Sequence, residues 1–261
     1  MEPIASIVIC TYGRPESLND TLLSLSHQTF RNFEIILISE KGDLSRIRQR
    51  GLLLAKGDYV SFIDDDVYCP STWLQSVIQA FQKEGVIGVT GPTTITGEFR
   101  NNRDLFKFKR IKHLYDLWFL DGQADIPGYI SKCGAPSTYS NDEGCKYEGK
   151  VSYLECCNMS VKRKESINVG GFDPGYIKTS EWSEPDLSFR LGKLGDLNFV
   201  QSAGLCHRPS KEGIYKDRLS TLHRWRNFVR FQRQWIEPSL KRHLYWAFIW
   251  TYLKMKEFRM I

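Results

Sequence analysis

Short apolar runs alternate with amphipathic stretches through the first third of the chain. Residues 4–10, 33–38, 59–63 and 86–90 are rich in β-branched, aliphatic and aromatic side chains and read as buried strands. Between them apolar residues recur at helical spacing. Pro15 suits the first position of a helix, and Leu18, Leu22 and Leu25 follow on one side of it. Asp43 can cap a second helix, with Leu44, Ile47 and Leu54 on its apolar side. Residues 70–83 predict a third, with Trp73, Leu74, Val77, Ile78 and Phe81 inward. This alternation is the pattern of a parallel sheet covered by helices, which binds ligands outside the carboxyl ends of its strands. Three polar clusters fall at those ends: Thr11–Arg14, Ser39–Lys41 and Asp64–Asp66.

The second half is less regular. Residues 97–150 are polar and mixed, with some helix expected around 105–120. Strand character returns at 153–161, and Val169-Gly170-Gly171-Phe172-Asp173 is a tight turn. Pro185 then sits naturally at a helix start, with Leu187, Leu191 and Leu194 as its buried stripe and Gly195 as its end. Glu184 and Asp186 lie at the start of that helix, where the dipole favours their ionised forms and where simple capping is the alternative role. Residues 197–200 form a last strand, and His207, Arg208 and Lys211 are expected in the loop after it. Leu222, Trp225, Phe228 or Val229, and Trp235 make one face of a helix. Residues 244–253 are apolar and aromatic between Lys241, Arg242, Lys254 and Lys256. That run is too short to span a bilayer but long enough to lie on one.

Charge sharpens the division. Residues 205–261 hold thirteen Lys and Arg against four Asp and Glu, a net +9, while the whole chain is +6. The basic excess therefore belongs to the tail, which suggests an anionic partner such as a lipid surface or a nucleic acid. The seven cysteines are odd in number and include no CxxC pair, which argues against a zinc ribbon or a disulfide scaffold. Cys156 and Cys157 read as small core residues, and a reduced, cytoplasmic compartment is expected. The N-terminus enters a strand-like run directly, with no signal peptide expected.

The candidate chemistry centres on residues 58–66, a buried strand that ends in Asp64, Asp65 and Asp66. Three like charges repel unless a cation or solvent separates them. Alternation sends Asp64 and Asp66 to one side, where they can grip a hard divalent cation. A solvated acidic loop is the alternative. No GxGxxG or Walker-type loop is present.

Taken together, the motifs resemble those of the family 2 glycosyltransferases, over about residues 4–207. Ser6 through Pro15 is similar to the family's first strand and turn. Arg48 and the run from Gly51 to Asp66 resemble the approach to its DxD motif. Cys157-Asn158-Met159-Ser160 with Gly170-Gly171-Phe172-Asp173 resembles the block before the acceptor site, and Ser183-Glu184-Pro185-Asp186-Leu187 its ED motif. The Glu181-to-Leu187 version is similar to archaeal-type members. Two departures stand out: Ser39-Glu40 where many members carry an Asp, and Arg48-Gln49 in place of Arg-Asn.

The resemblance implies an α/β GT-A fold, Rossmann-like, with a mixed sheet, flanking helices and a C-terminal helical tail. It implies a catalytic domain over 1–213, with a donor half at 1–96 and an acceptor half at 97–213, and a tail at 214–261. The implied reaction moves a sugar from a nucleotide-diphosphate sugar to a hydroxyl of a glycan, lipid-linked or protein acceptor, with inversion. Implied donor contacts are Thr11, Tyr12, Arg14, Glu40, Arg48, Asp64 and Asp65. Asp66, Asp64 and His207 would hold Mn²⁺ or Mg²⁺, Glu184 would be the base, and Trp182 and Asp186 would lie on the acceptor side. Arg208 or Lys211 would add charge at the diphosphate. A homodimer and peripheral contact with the inner membrane face through the tail are further expectations. The rival readings are a non-catalytic carbohydrate- or membrane-surface-binding protein and a nucleic-acid binder using the tail.

Overall fold

The computed structural model describes residues 2–95, 109–137, 145–208 and 221–258. Its centre is a seven-stranded sheet. The strands are β1 (Ala5–Thr11), β2 (Phe33–Ser39), β3 (Tyr59–Asp64), β5 (Val86–Thr90), β7 (Gly149–Lys150), β8 (Asn158–Lys162) and β9 (Asp196–Phe199). They lie in the order β2-β1-β3-β8-β5-β9-β7. A three-stranded sheet, β4-β10-β6, is built from β4 (Val67–Tyr68), β6 (Thr93–Ile95) and β10 (Leu205–His207).

The main sheet is mixed, as the resemblance implied, and the strands of the alternation, β1, β2, β3 and β5, run parallel within it. β1 pairs in parallel with β2 and β3, but β8 enters antiparallel between β3 and β5. β8 runs Asn158–Lys162, so the expected strand at 153–161 starts five residues late and ends one residue further on. Asn158 holds the junction: its amide nitrogen donates to the Gly91 and Ala203 carbonyls, and its oxygen accepts from the Trp73 indole. Each polar atom of this buried amide is thus satisfied across three segments.

Helices α1 (Pro15–Ser26) and α3 (Trp73–Phe81) cover one face, over a core that includes Ile7, Ile9, Leu25, Trp73 and Leu74. Helices α2 (Leu44–Leu54) and α6 (Ser183–Leu191) cover the other, over Val8, Leu52, Phe62, Phe172 and Leu187. The five residues expected to point inward from α3 are all buried. β2 lies at the sheet edge, so Ile35 and Leu37 of this expected buried strand are exposed. α6 ends at Leu191, before the expected stop, and Leu194 is exposed. Asp43 makes no side-chain cap on α2; its carboxylate accepts instead from the backbone N–H of Lys178 at 2.6 Å.

Among the described residues of the excursion, α4 (Lys109–Phe119) is the helix expected near 105–120. The tail is a pair of helices, α7 (Thr221–Trp235) and α8 (Leu240–Glu257). Phe228, Trp225, Tyr245 and Trp246 pack with Tyr115 and Phe119 of α4 and with Trp182. These rings therefore form a third core, while Leu222, expected on the same face of α7, is exposed. Short α5 (Arg163–Asn168) joins β8 to the Gly170-Gly171 turn. Among the described residues no helix is long and apolar enough to cross a membrane.

Candidate functional site

The site grows from the carboxyl ends of β1 and β3. Parallel register sets Cys10 beside Asp64, so the chain leaves both strands at one level. Past Asp64 the backbone turns into β4, which pairs antiparallel with β10 and sets His207 opposite Val67. The backbone N–H of Arg208 donates to the Asp66 carbonyl at 2.8 Å. His207 is thus the last residue of a strand rather than part of the expected loop. Its Nε2 lies 2.9 Å from an Asp66 oxygen and 3.6 Å from an Asp64 oxygen.

One ligand atom each from Asp64, Asp66 and His207 fall within 4.8 Å of one another. Asp66 and His207 are buried, and Asp64 is half-buried. Two carboxylate oxygens and an imidazole nitrogen converging in this way fit a divalent cation of hard to borderline character. Arg14 closes the other side. Its guanidinium reaches Asp66 at 2.7 Å and also touches Asp65. Asp65 itself is fully buried; burial pushes its carboxyl up to about 6, against the pull of the Thr11 hydroxyl and Arg14.

A second charged pair faces the first. Arg48, buried on α2, donates to a Glu184 oxygen at 2.7 Å and lies 3.9 Å from Asp64. Burial opposes its charge, but Cys156, Glu184 and Asp64 around it hold its pKa above the usual arginine value. Glu184 stands in the first turn of α6, whose N-cap Trp182 has a left-handed backbone with φ of 76°. Lys178 and Ser180 before it also have positive φ. Such backbone costs on the order of 1–3 kcal/mol per non-glycine residue and needs outside support. The support comes from α2: Leu44 N–H donates to the Lys178 carbonyl, Ser45 N–H to the Ser180 hydroxyl, and the Ser45 hydroxyl to the Tyr176 carbonyl.

Between the two charged groups lies a cavity of about 350 Å³. Of the residues expected at a site, Tyr12, Arg14, Arg48, Asp64, Asp66, Trp182, Glu184 and His207 line it. Thr11, Glu40, Asp65 and Asp186 are not among its lining residues. Thr11 and Asp65 are buried behind Arg14. Glu40 pairs with Arg50 at 2.5 Å on the surface. Asp186 is fully buried: one oxygen accepts twice from Arg190 and the other from the Trp235 indole at 2.7 Å. It joins α6 to α7. Arg208 lies over the Tyr68 ring, and Lys211 falls outside the described residues.

Several lining residues were not among those expected at the site. Glu155, Glu181, Cys156 and Cys157 all face the cavity, although the two cysteines read as plain core. Cys10 lines it too, and burial pushes its thiol up to about 12, so it stays protonated at neutral pH. The departure at Gln49 has a local explanation. Its carbonyl oxygen accepts from Phe172 N–H at 2.7 Å, pressed against Gly171, whose φ is 65°. A Cβ at Gly171 would collide with the Gln49 side chain, so this amide holds the glycine turn and does not reach the cavity.

Comparison with known proteins places this geometry in context. The model of the family described as glycosyl transferase family 2 matches residues 39–133. The amylovoran biosynthesis glycosyltransferase AmsB of Erwinia amylovora is 23% identical over 280 residues, covering 96% of this chain and 82% of its own. Among solved structures, GalNAc-T7 with UDP, GalNAc and Mn²⁺ superposes with a TM-score of 0.60 at 13% identity, over 89% of this chain and 48% of that one. The mannosyltransferase PcManGT from Pyrobaculum calidifontis, in complex with GDP-Man and Mn²⁺, gives 0.58 at 12% identity, over 98% of this chain and 74% of that one. At such identities the structural likeness is one of fold.

Proposed function

This chain is a family 2 glycosyltransferase of the GT-A fold, and on that premise we propose that it moves a sugar from a nucleotide-diphosphate sugar to an acceptor hydroxyl, with inversion at the anomeric carbon. The observation that carries the reading is one cavity lined by a three-ligand cluster, Asp64, Asp66 and His207, and by a separate carboxylate, Glu184. Both solved relatives named above hold a nucleotide or nucleotide sugar together with Mn²⁺.

Transfer asks two things of the protein. Charge that builds on the departing diphosphate must be stabilised, and the acceptor hydroxyl must lose a proton. Asp64, Asp66 and His207 would hold the cation, Mn²⁺ better than Mg²⁺ given the imidazole. When bound, that cation supplies Lewis-acid stabilisation of the leaving group. Arg14 adds a fixed positive charge beside it. Tyr12, exposed where the chain leaves β1, offers a ring at the donor end. On the acceptor side, a Glu184 oxygen takes the hydroxyl proton as the acceptor oxygen attacks the anomeric carbon and the bond to the diphosphate breaks. Arg48 fixes the position of that carboxylate, and Trp182 forms an apolar wall for a sugar ring.

Two substitutions test the division of labour. Glu184→Gln should keep donor binding in calorimetry and lower transfer by about 10²–10⁴, the usual worth of a general base. Near-normal transfer by that variant would return Glu184 to a structural role. Asp66→Ala should abolish the chelator-sensitive part of nucleotide-diphosphate binding. Equal affinity with and without chelator in the parent protein would remove the cation from the scheme.

A further inference from the structure

Glu181 has no task in the scheme above. It lies in the turn that leads into α6, and Thr179, Glu181, Trp182, Glu184 and Pro185 all line the cavity. The cluster of Asp64, Asp66 and His207 comes instead from β3, the turn after it and β10. The turn before α6 is thus the wall that carries the proposed base, and on the transferase reading a group there meets the acceptor rather than the diphosphate.

The carboxylate of Glu181 has bonding capacity to spare. Arg224 of α7 approaches one oxygen at 3.4 Å, and the other has no hydrogen-bond partner among the described residues. Nearby Asp186 shows the contrast of a purely structural carboxylate: Arg190 and the Trp235 indole fill both of its oxygens. An oxygen left without a donor is costly. The Glu181 side chain is 28% exposed, enough for it to turn toward a ligand in the cavity that it lines. Charge around it points the same way. Glu155 is a further carboxylate in the lining, and the two arginines there are both committed, Arg14 to Asp65 and Asp66, Arg48 to Glu184 and Asp64. Among the described residues no lysine lines the cavity, and Arg224 supports Glu181 without joining the lining. Trp182, next in the chain, rests on Phe228 and Phe231, so α7 backs both residues.

We propose that Glu181, backed by Arg224, selects the acceptor: the group that carries the attacking hydroxyl is a neutral or amino sugar, and not a uronate or a phosphorylated sugar. A carboxylate accepts hydrogen bonds and donates none, so it draws hydroxyl or ammonium donors. The same charge repels an anion brought beside it. A sugar ring offers both halves of the match, an apolar face for Trp182 and hydroxyls for the neighbouring Glu181. The inference rests on the transferase reading and states which acceptors that site takes.

The test compares p-nitrophenyl glucoside and glucosaminide with p-nitrophenyl glucuronide, and the galactose series likewise. Each is measured with the full chain, Mn²⁺ and a UDP- or GDP-sugar that the parent hydrolyses, as an acceptor or as an inhibitor of that hydrolysis. In the parent the neutral and amino glycosides should bind at least about tenfold tighter than the uronides, since like charges set side by side cost more than that. Glu181→Gln keeps the shape, removes the charge and should narrow the gap. Arg224→Gln removes the cation behind the carboxylate and should leave the gap as wide or widen it, whereas a merely structural Glu181–Arg224 link would make the two variants alike. Each gap is a ratio within one protein, so general damage to the fold cancels. Uronides bound as well as glucosides overturn the proposal, and so does a gap that Glu181→Gln leaves unchanged or that both variants narrow equally. Donor hydrolysis that no glycoside joins or slows overturns it too. A parent that hydrolyses no nucleotide sugar instead fails the transferase reading and takes this inference with it, so the two failures are told apart.

Discussion

Arg48 carries more of the site than any other single side chain. It lies between Asp64 and Glu184, the two halves of the proposed chemistry, and is buried. Removing it leaves two carboxylates facing one cavity without the cation between them. Taking away one partner of a buried pair costs about 3–5 kcal/mol in comparable cases. Because Asp64 and Glu184 are partly exposed, Arg48→Gln should fall at or below the low end of that range in a urea melt, and transfer should drop with it. A variant as stable as the parent would mean that water already screens the pair. Neighbouring Asp65 parts from the other two as strand alternation predicts: it is fully buried against Arg14 while Asp64 and Asp66 line the cavity.

Among the elements, α6 depends most on its neighbours. Its first turn presents Glu184, but its N-cap carries no capping side chain, and the segment before it has left-handed backbone at three non-glycine residues. Two attachments hold it, α2 through Leu44 and Ser45 and α7 through the Trp235–Asp186 bond. Trp235→Phe keeps most of the apolar contact and removes the indole N–H. A buried carboxylate oxygen left without its donor costs about 1–3 kcal/mol. The denaturant midpoint should fall by a corresponding amount while donor binding persists, because Asp186 does not line the cavity. An unchanged midpoint would show that water replaces the indole.

Across the whole molecule, the tail is continuous with the catalytic body. Phe228 and Phe231 on α7 pack against Trp182, and Tyr245 on α8 packs against Phe119. A wall of the cavity therefore rests on helices near the chain's end, and the division expected at residue 214 separates two composition regions rather than two packing units. A different apolar set lies outside, among it Leu114 and Trp118 on α4 and Leu244 on α8.

Local order was legible from the residues themselves. Strand periods placed β1, β3 and β5, helical spacing placed α1 and α3, and a run of aspartates after an apolar strand marked the acidic end of the cavity. These follow from nearest-neighbour geometry, since side-chain direction repeats every two residues in a strand and every 3.6 in a helix. Direction and partnership came only with the tertiary structure. Nothing in the local pattern of β8 states that it inserts antiparallel between two parallel strands. His207 meets Asp66 only because β10 pairs with β4, which sets His207 opposite Val67. Amphipathic spacing in the last fifty residues announced an apolar face but could not say what would cover it, because burial is decided by which surfaces the whole chain brings together.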